Sequence, residues 1–217
     1  MERRREPKPS SARTAWLAAA GIALAALSAS AQENATDDPH AAHRAMMAQA
    51  INLNADLGES FGAWRMGSDA ELLPIIATAS IACGFHAGDP LVMRRTLRQA
   101  LAAGVSIGAH PSYPDLQGFG RRVMRLPADE LEALLIYQIG ALAGMAQAEG
   151  ARLTHVKPHG ALSNMACEEA AIAASVVAAI RCFDPQLILL APALSQLALA
   201  GAAAGLRVAS EIFADRT

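Results

Sequence analysis

A chain of 217 residues, 53% of them hydrophobic, can bury a sizeable core and suits one large domain better than two small ones. Its 18 Lys+Arg against 20 Asp+Glu, with aromatics at 4%, provide neither a basic stripe nor stacking platforms, so no nucleic-acid partner is expected. Cys83, Cys167 and Cys182 are odd in number and form no CxxC pair, which argues against a disulfide framework or a zinc knuckle. Cys167 and Cys182 read as small buried hydrophobes.

The first fifty residues differ in kind from the rest. Arg3, Arg4, Arg5, Lys8 and Arg13 precede a small-apolar run over 15–27, and Ala29-Ser30-Ala31 has the form of a cleavage site, so 1–31 reads as a signal-peptide-like leader. The run is short for a bilayer span, residues 32–50 read as a linker, and no transmembrane segment is expected in the mature chain. Export to the periplasm is what such a leader suggests.

From residue 51 the apolar rhythm alternates between strand and helix periods. Ile51, Leu53 and Ala55 share one strand face. Ser68 caps a helix predicted over 69–78, and a short buried strand follows over 80–82. Asp89 as N-cap and Pro90 at the first helical position open a helix that Gly104 closes, before a strand over 105–109. After a Pro/Gly-rich loop, Pro127 opens the longest helix, which stops near Gly150, and a fourth strand covers 154–157. A helix over 168–183, a strand over 187–191, a helix over 194–204 and a strand over 206–211 complete the series.

Strands alternating with helices imply a parallel α/β sheet, open or closed into a barrel. The barrel is favoured because reactive residues recur at the C-terminal ends of strands, where barrel active sites lie. Asp56, His86 and His110 sit at three successive strand ends, and His159 and Asp215 lie just past later ones. Six units are few for a closed barrel, and the chain stops just after a strand, so 51–217 is expected to be a barrel domain lacking C-terminal strands.

Asn54, Asp56 and Glu59 gather amide and carboxylate groups around the first strand end. Such a set can hold a hard cation, transfer protons or cap a turn. His86 lies between Gly84 and Gly88, which let the backbone approach a ligand, while an N-cap role is sufficient for Asp89. Asp56, His86 and His110 together form a plausible open divalent-metal site, or a general base with its orienting partners. His155 reads as an interior histidine. Lys157, with His159 beyond it, suits an anionic group, and Arg121 on the long loop offers another cation. No GxxxxGK[ST] loop is present, so any nucleotide site is not a P-loop.

Read together, NADLGESFGAW (54–64), IACGFHAGD (81–89), GAHPSYPD (108–115), FGRR (119–122), YQIGAL (137–142), HVKPHGAL (155–162) and FADR (213–216) closely resemble the LamB/YcsF family of 5-oxoprolinase A subunits. The resemblance implies a distorted (β/α) barrel of the glycoside hydrolase/deacetylase type. It also implies ATP-dependent opening of 5-oxo-L-proline to L-glutamate, ATP as co-substrate, and 5-oxoprolinase subunits B and C as partners. On that basis Asp56, His86, His110, Lys157 and His159 are expected to be catalytic, and Asn54, Glu59, Asp89, Arg121 and Asp215 to bind the small-molecule substrate. The family suggests a cytoplasmic location, against the leader. Ser163 stands where an aromatic is common. Two rival readings are a metal-dependent carbohydrate deacetylase-like hydrolase, which suits an exported protein, and a non-catalytic carboxylate-binding module.

Overall fold

The computed structural model describes residues 52–213, so the leader, the linker and Asp215 lie outside the described residues. Six strands form one sheet: β1 (Asn54–Leu57), β2 (Thr78–Ala82), β3 (Ser106–His110), β4 (His155–Val156), β5 (Ile188–Pro192) and β6 (Arg207–Glu211). Between them run α1 (Asp69–Leu72), α2 (Pro90–Ala102), α3 (Ala128–Ala148), α4 (Gly160–Glu168), α5 (Ala170–Phe183) and α6 (Gln196–Ala203). Every neighbouring pair is parallel and the spatial order is the chain order, β1 to β6. Right-handed crossovers that never reverse direction put all the helices on one face, so the sheet curls into a half-barrel rather than lying open between two helical layers.

The register separates core from site. Leu57, Ile81, Ala109, Val156, Leu189 and Val208 align across the six strands. They face the helices and pack with Leu97, Leu135, Ile139, Leu142, Ile180 and Leu197. Successive residues on a strand point to opposite faces. The row one step away, containing Asp56, Ser80, Gly108 and His155, therefore lines the concave side, and two residues further on stand His110 and Lys157.

His155 forms the floor of this interior, buried, with its Nε2 3.3 Å from Ser80 Oγ and its Nδ1 2.8 Å from Thr154 Oγ1. Its register partner is Gly108, where an added Cβ would lie 2.3 Å from the imidazole ring. Gly108→Ala is therefore expected to destabilise the fold by about 1–3 kcal/mol through overpacking. In the double variant Gly108→Ala/His155→Ala the two costs should sum to less than their separate values, because removing the ring relieves the clash. Urea denaturation of the three variants measures this, and strict additivity would show that the two residues do not compete for space.

The helices start and stop where local chemistry dictates. Asp89 caps α2 by accepting from the Leu91 and Val92 N–H groups at 2.9 and 3.1 Å, and Pro90 occupies the first position. Asp129 and Glu130 complement the N-terminal dipole of α3, and its buried stripe of Leu131, Leu135, Gln138, Ile139, Leu142 and Ala146 faces the barrel. By length and composition α3 could cross a membrane, but here it packs against α5 and β3 as a shell helix.

Four features differ from what the sequence predicts. The helix expected over 69–78 ends at Leu72, because Pro74 has no N–H with which to continue the helical hydrogen bonding, and Thr78 and Ala79 belong to β2. Ser68 contributes its carbonyl rather than its hydroxyl to that helix start. The helix α4 has no counterpart among the predicted elements. Its first residue is a glycine with φ of 59°, and its polar Ser163 and Asn164 mask the apolar period. Finally, Cys167 is half-buried and Cys182 exposed, since Cys182 falls off the buried stripe of Val176, Val177 and Ile180 on α5.

Candidate functional site

The strand ends converge. Asp56 Oδ2 lies 3.3 Å from His110 Nε2, and Asp56 Oδ1 lies 3.1 Å from Lys157 Nζ as a charge contact without hydrogen-bond alignment. Lys157 Nζ also donates to Asn54 Oδ1 at 3.0 Å and lies 2.6 Å from Glu211 Oε1. A β4 side chain thus touches the ends of both β1 and β6, which a flat sheet of this order would hold well apart. The curl is what makes the site. Lys157 is surrounded by two carboxylates and an amide, so it ties the rim together instead of standing ready for an incoming anion, as the sequence suggests. The exposed Arg121 offers a cation at the same rim.

Glu59 lies on the turn after β1, where Gly58 has φ of 69°. Its Oε1 is 3.1 Å from His86 Nε2, 3.6 Å from His159 Nδ1 and 3.9 Å from His110 Nε2. Glu59 is thereby at the centre of the histidine cluster rather than at its substrate-facing edge. His86 and His159 stack at 3.9 Å between ring centroids, and His110 meets both edge-on. His110 donates its Nδ1–H to the Lys157 carbonyl at 2.6 Å, and His159 donates its Nε2–H to the Phe119 carbonyl at 2.8 Å. Glu59, His86, His110 and His159 each present one ligand atom within 4.8 Å of the others, a set able to hold a metal ion.

The electrostatics follow from burial and neighbours. Burial opposes the charge on Asp56, yet His110 and Lys157 together hold its carboxyl far below the usual carboxylate range. Burial pushes Glu59 upward against the pull of His110 and His159. Burial also disfavours charge on His110, but Asp56 and Glu59 more than offset it and its affinity for a proton is raised. His86 is pushed down to about 2 and His159 to about 3, in each case by burial first and by His110 second. His110 therefore holds a greater affinity for a proton than either of its two histidine neighbours.

The FGRR loop seals this cluster. Asp115 accepts from Gly118 N–H at 3.0 Å and Arg122 Nε–H at 2.8 Å, which makes Arg122 the clasp of the loop and leaves Arg121 to face the cavity. Gly120 is irreplaceable by geometry, since a Cβ there would meet Ser112 Oγ at 2.3 Å and His86 Cβ at 2.9 Å. Its carbonyl accepts the Ala161 N–H at 2.9 Å, satisfying an open donor at the start of α4.

Asp56, His110, Arg121, Lys157, His159 and Asn164 line a cavity of about 240 Å³. A larger hollow of about 840 Å³ opens at the other end of the strands, beside Arg152, Phe183, Gln186 and Arg207. Among the described residues it holds no cluster of titratable groups comparable to the rim. Asp89 stands outside the site, with one carboxylate oxygen on the α2 cap and the other accepting from Gly62 N–H at 2.7 Å. Two functional groups escape the sequence reading. Glu211 ends β6 and could have been found by the strand-end rule, whereas the Phe119 carbonyl carries no side-chain signal at all.

A parallel α/β half-barrel with a histidine–carboxylate cluster on its C-terminal rim defines a barrel-type site protein. Residues 51–217 match the LamB/YcsF family, and the chain belongs to that family. It is 73% identical over 166 residues to the A subunit of 5-oxoprolinase from Azoarcus sp. (strain BH72), covering 76% of this chain and 65% of that protein. To the corresponding 5-oxoprolinase A subunit of Methylococcus capsulatus it is 62% identical over 170 residues, covering 78% of this chain and 65% of that protein. The chain thus spans 65% of the length of these curated relatives. The crystal structure of lactam utilization protein from Thermus thermophilus superposes with a TM-score of 0.75 at 46% identity, covering 76% of this chain and 67% of that one.

Proposed function

We propose that the chain acts as the A-type component of an ATP-dependent 5-oxoprolinase, opening 5-oxo-L-proline to L-glutamate with release of ADP and phosphate, together with B and C subunits. The observation that carries this reading is the buried His110 held between Asp56 and Glu59 beside a small polar cavity. It is supported by 73% identity to a relative named as the A subunit of 5-oxoprolinase.

The chemistry asks for coupling. A lactam is a poor electrophile, and transfer of the terminal phosphoryl group of ATP to its oxygen makes the ring carbon one that water can attack. In that step the Asp56–His110 pair takes the proton of the attacking water at His110 Nε2. Arg121 is placed at the cavity to receive the substrate carboxylate, and Lys157 holds Asp56 in position from behind. A cavity of about 240 Å³ accommodates a five-membered lactam of this size.

The convergence of Glu59 with His86, His110 and His159 favours a second reading, a metal-dependent hydrolase that needs no ATP, of the carbohydrate-deacetylase kind. Incubation with 5-oxoproline, with and without ATP and the partner subunits, separates the two. Glutamate formed only when ATP and both partners are present is the expected result. Absence of glutamate under all conditions, with acyl release from an acetylated sugar in the absence of ATP, would overturn the first reading in favour of the second. Binding of 5-oxoproline without any turnover would make the chain a carboxylate-binding module instead.

A further inference from the structure

The geometry points to a centre for one borderline divalent transition ion, of the zinc and cobalt class, held by Glu59, His86, His110 and His159, with Asp56 outside the ligand set. The four donor atoms lie within 4.8 Å of one another, and three of the four residues are buried. Two of the rings are oriented as metal-bound histidines are, each with its remote N–H fixed by a backbone carbonyl. His110 donates from Nδ1 to Lys157, and His159 donates from Nε2 to Phe119. The nitrogens left over, His110 Nε2 and His159 Nδ1, face each other at 3.1 Å. A neutral imidazole whose one N–H is committed elsewhere offers only a lone pair at its other nitrogen. Two such lone pairs, with the Glu59 carboxylate at 3.6 and 3.9 Å, concentrate negative potential at one point that a cation would neutralise.

The backbone is shaped to keep the rings there. Phe119 presents its carbonyl to His159 from a left-handed conformation, φ 55°, that is strained for a non-glycine residue. Gly120 follows at φ 65°, and a Cβ there would lie 2.9 Å from His86 Cβ and 3.0 Å from His159 Cδ2. Strain and close approach coincide at the two stacked rings. Three imidazoles and one carboxylate suit zinc, cobalt or nickel and not magnesium or calcium, which take oxygen donors. His110 and His159 also line the cavity, so the ion would keep a position open to it. Asp56 contacts only His110 among the four and turns its other oxygen to Lys157, which leaves it beside the centre as a proton acceptor.

This inference differs from the ATP-coupled reading in one assignment, since an ion on His110 Nε2 would leave proton transfer to Asp56, and because ion binding is measured without turnover the two readings fail separately. The 217-residue chain would be stripped with chelator and loaded separately with Zn²⁺ and Co²⁺. After dialysis, bound metal and the visible d–d absorption of Co²⁺ would be measured. About one ion per chain is expected for wild type and for Asp56→Asn. His159→Ala and Glu59→Gln should weaken binding by more than the roughly 10- to 100-fold that loss of a supporting partner costs, while circular dichroism reports an intact fold. His86→Ala gives the same reading should either of these fail to fold. Failure of wild type to hold the ion, or its loss from Asp56→Asn, would overturn the assignment.

Discussion

Lys157→Met is expected to lower stability by about 3–5 kcal/mol, the cost of removing one partner from a buried ion pair and leaving the other charge uncompensated. The Lys157 side chain is 9% exposed and that of Glu211 6%, with 2.6 Å between their charged atoms. Methionine keeps most of the apolar stem, so the loss is of charge rather than of packing. Glu211 would then be buried with no cation, and Asp56 would keep only His110. Adding Glu211→Gln should restore much of the lost stability, because removing both partners avoids the stranded charge. Urea denaturation of wild type, the two singles and the double measures the coupling. A cost below about 1 kcal/mol for Lys157→Met would class the pair with exposed salt bridges and remove its role as the tie across the barrel mouth.

How much of this is legible in the sequence depends on distance along the chain. The strand period and the residues closing each strand place Asn54, Asp56, His110 and Lys157 on one rim, because alternation fixes which face a strand residue takes. Curling can be argued from the same recurrence, though the register that sets Gly108 against His155 cannot. What stays hidden are contacts made after a strand ends. Glu59, two residues beyond β1, reads as a substrate contact, and only the turn at Gly58 carries it into the histidines. His86 and His159, far apart in sequence, stack because Gly120 admits both rings, and no local pattern announces that. Lys157 reads as a free cation because Glu211, its closest counter-charge, is contributed by another strand end. The unpredicted α4 has a related cause. Its N-terminus is satisfied by the Gly120 carbonyl from a distant loop, so no capping residue marks it.

The rim should behave as one catalytic unit. Asp56→Asn, His86→Ala and His110→Ala are each expected to reduce glutamate formation, assayed with ATP and the partner subunits, by roughly 10²–10⁴-fold, the range spanned by a positioned acid–base group. Asp56→Asn keeps the shape and removes the charge that raises His110's hold on its proton, so the loss would come from chemistry and not from packing. The double variant Asp56→Asn/His110→Ala should cost little more than either single one, since a base without its orienting carboxylate, or a carboxylate without its base, is already idle. His155→Ala provides the contrast. That ring contacts Ser80 and Thr154 on the barrel floor, and its loss should lower the unfolding midpoint while leaving kcat within a few-fold of wild type. Multiplicative losses in the double variant would mean that Asp56 and His110 act in separate steps, and near-normal turnover in any two of the three single variants would place the reacting atoms elsewhere than beside His110.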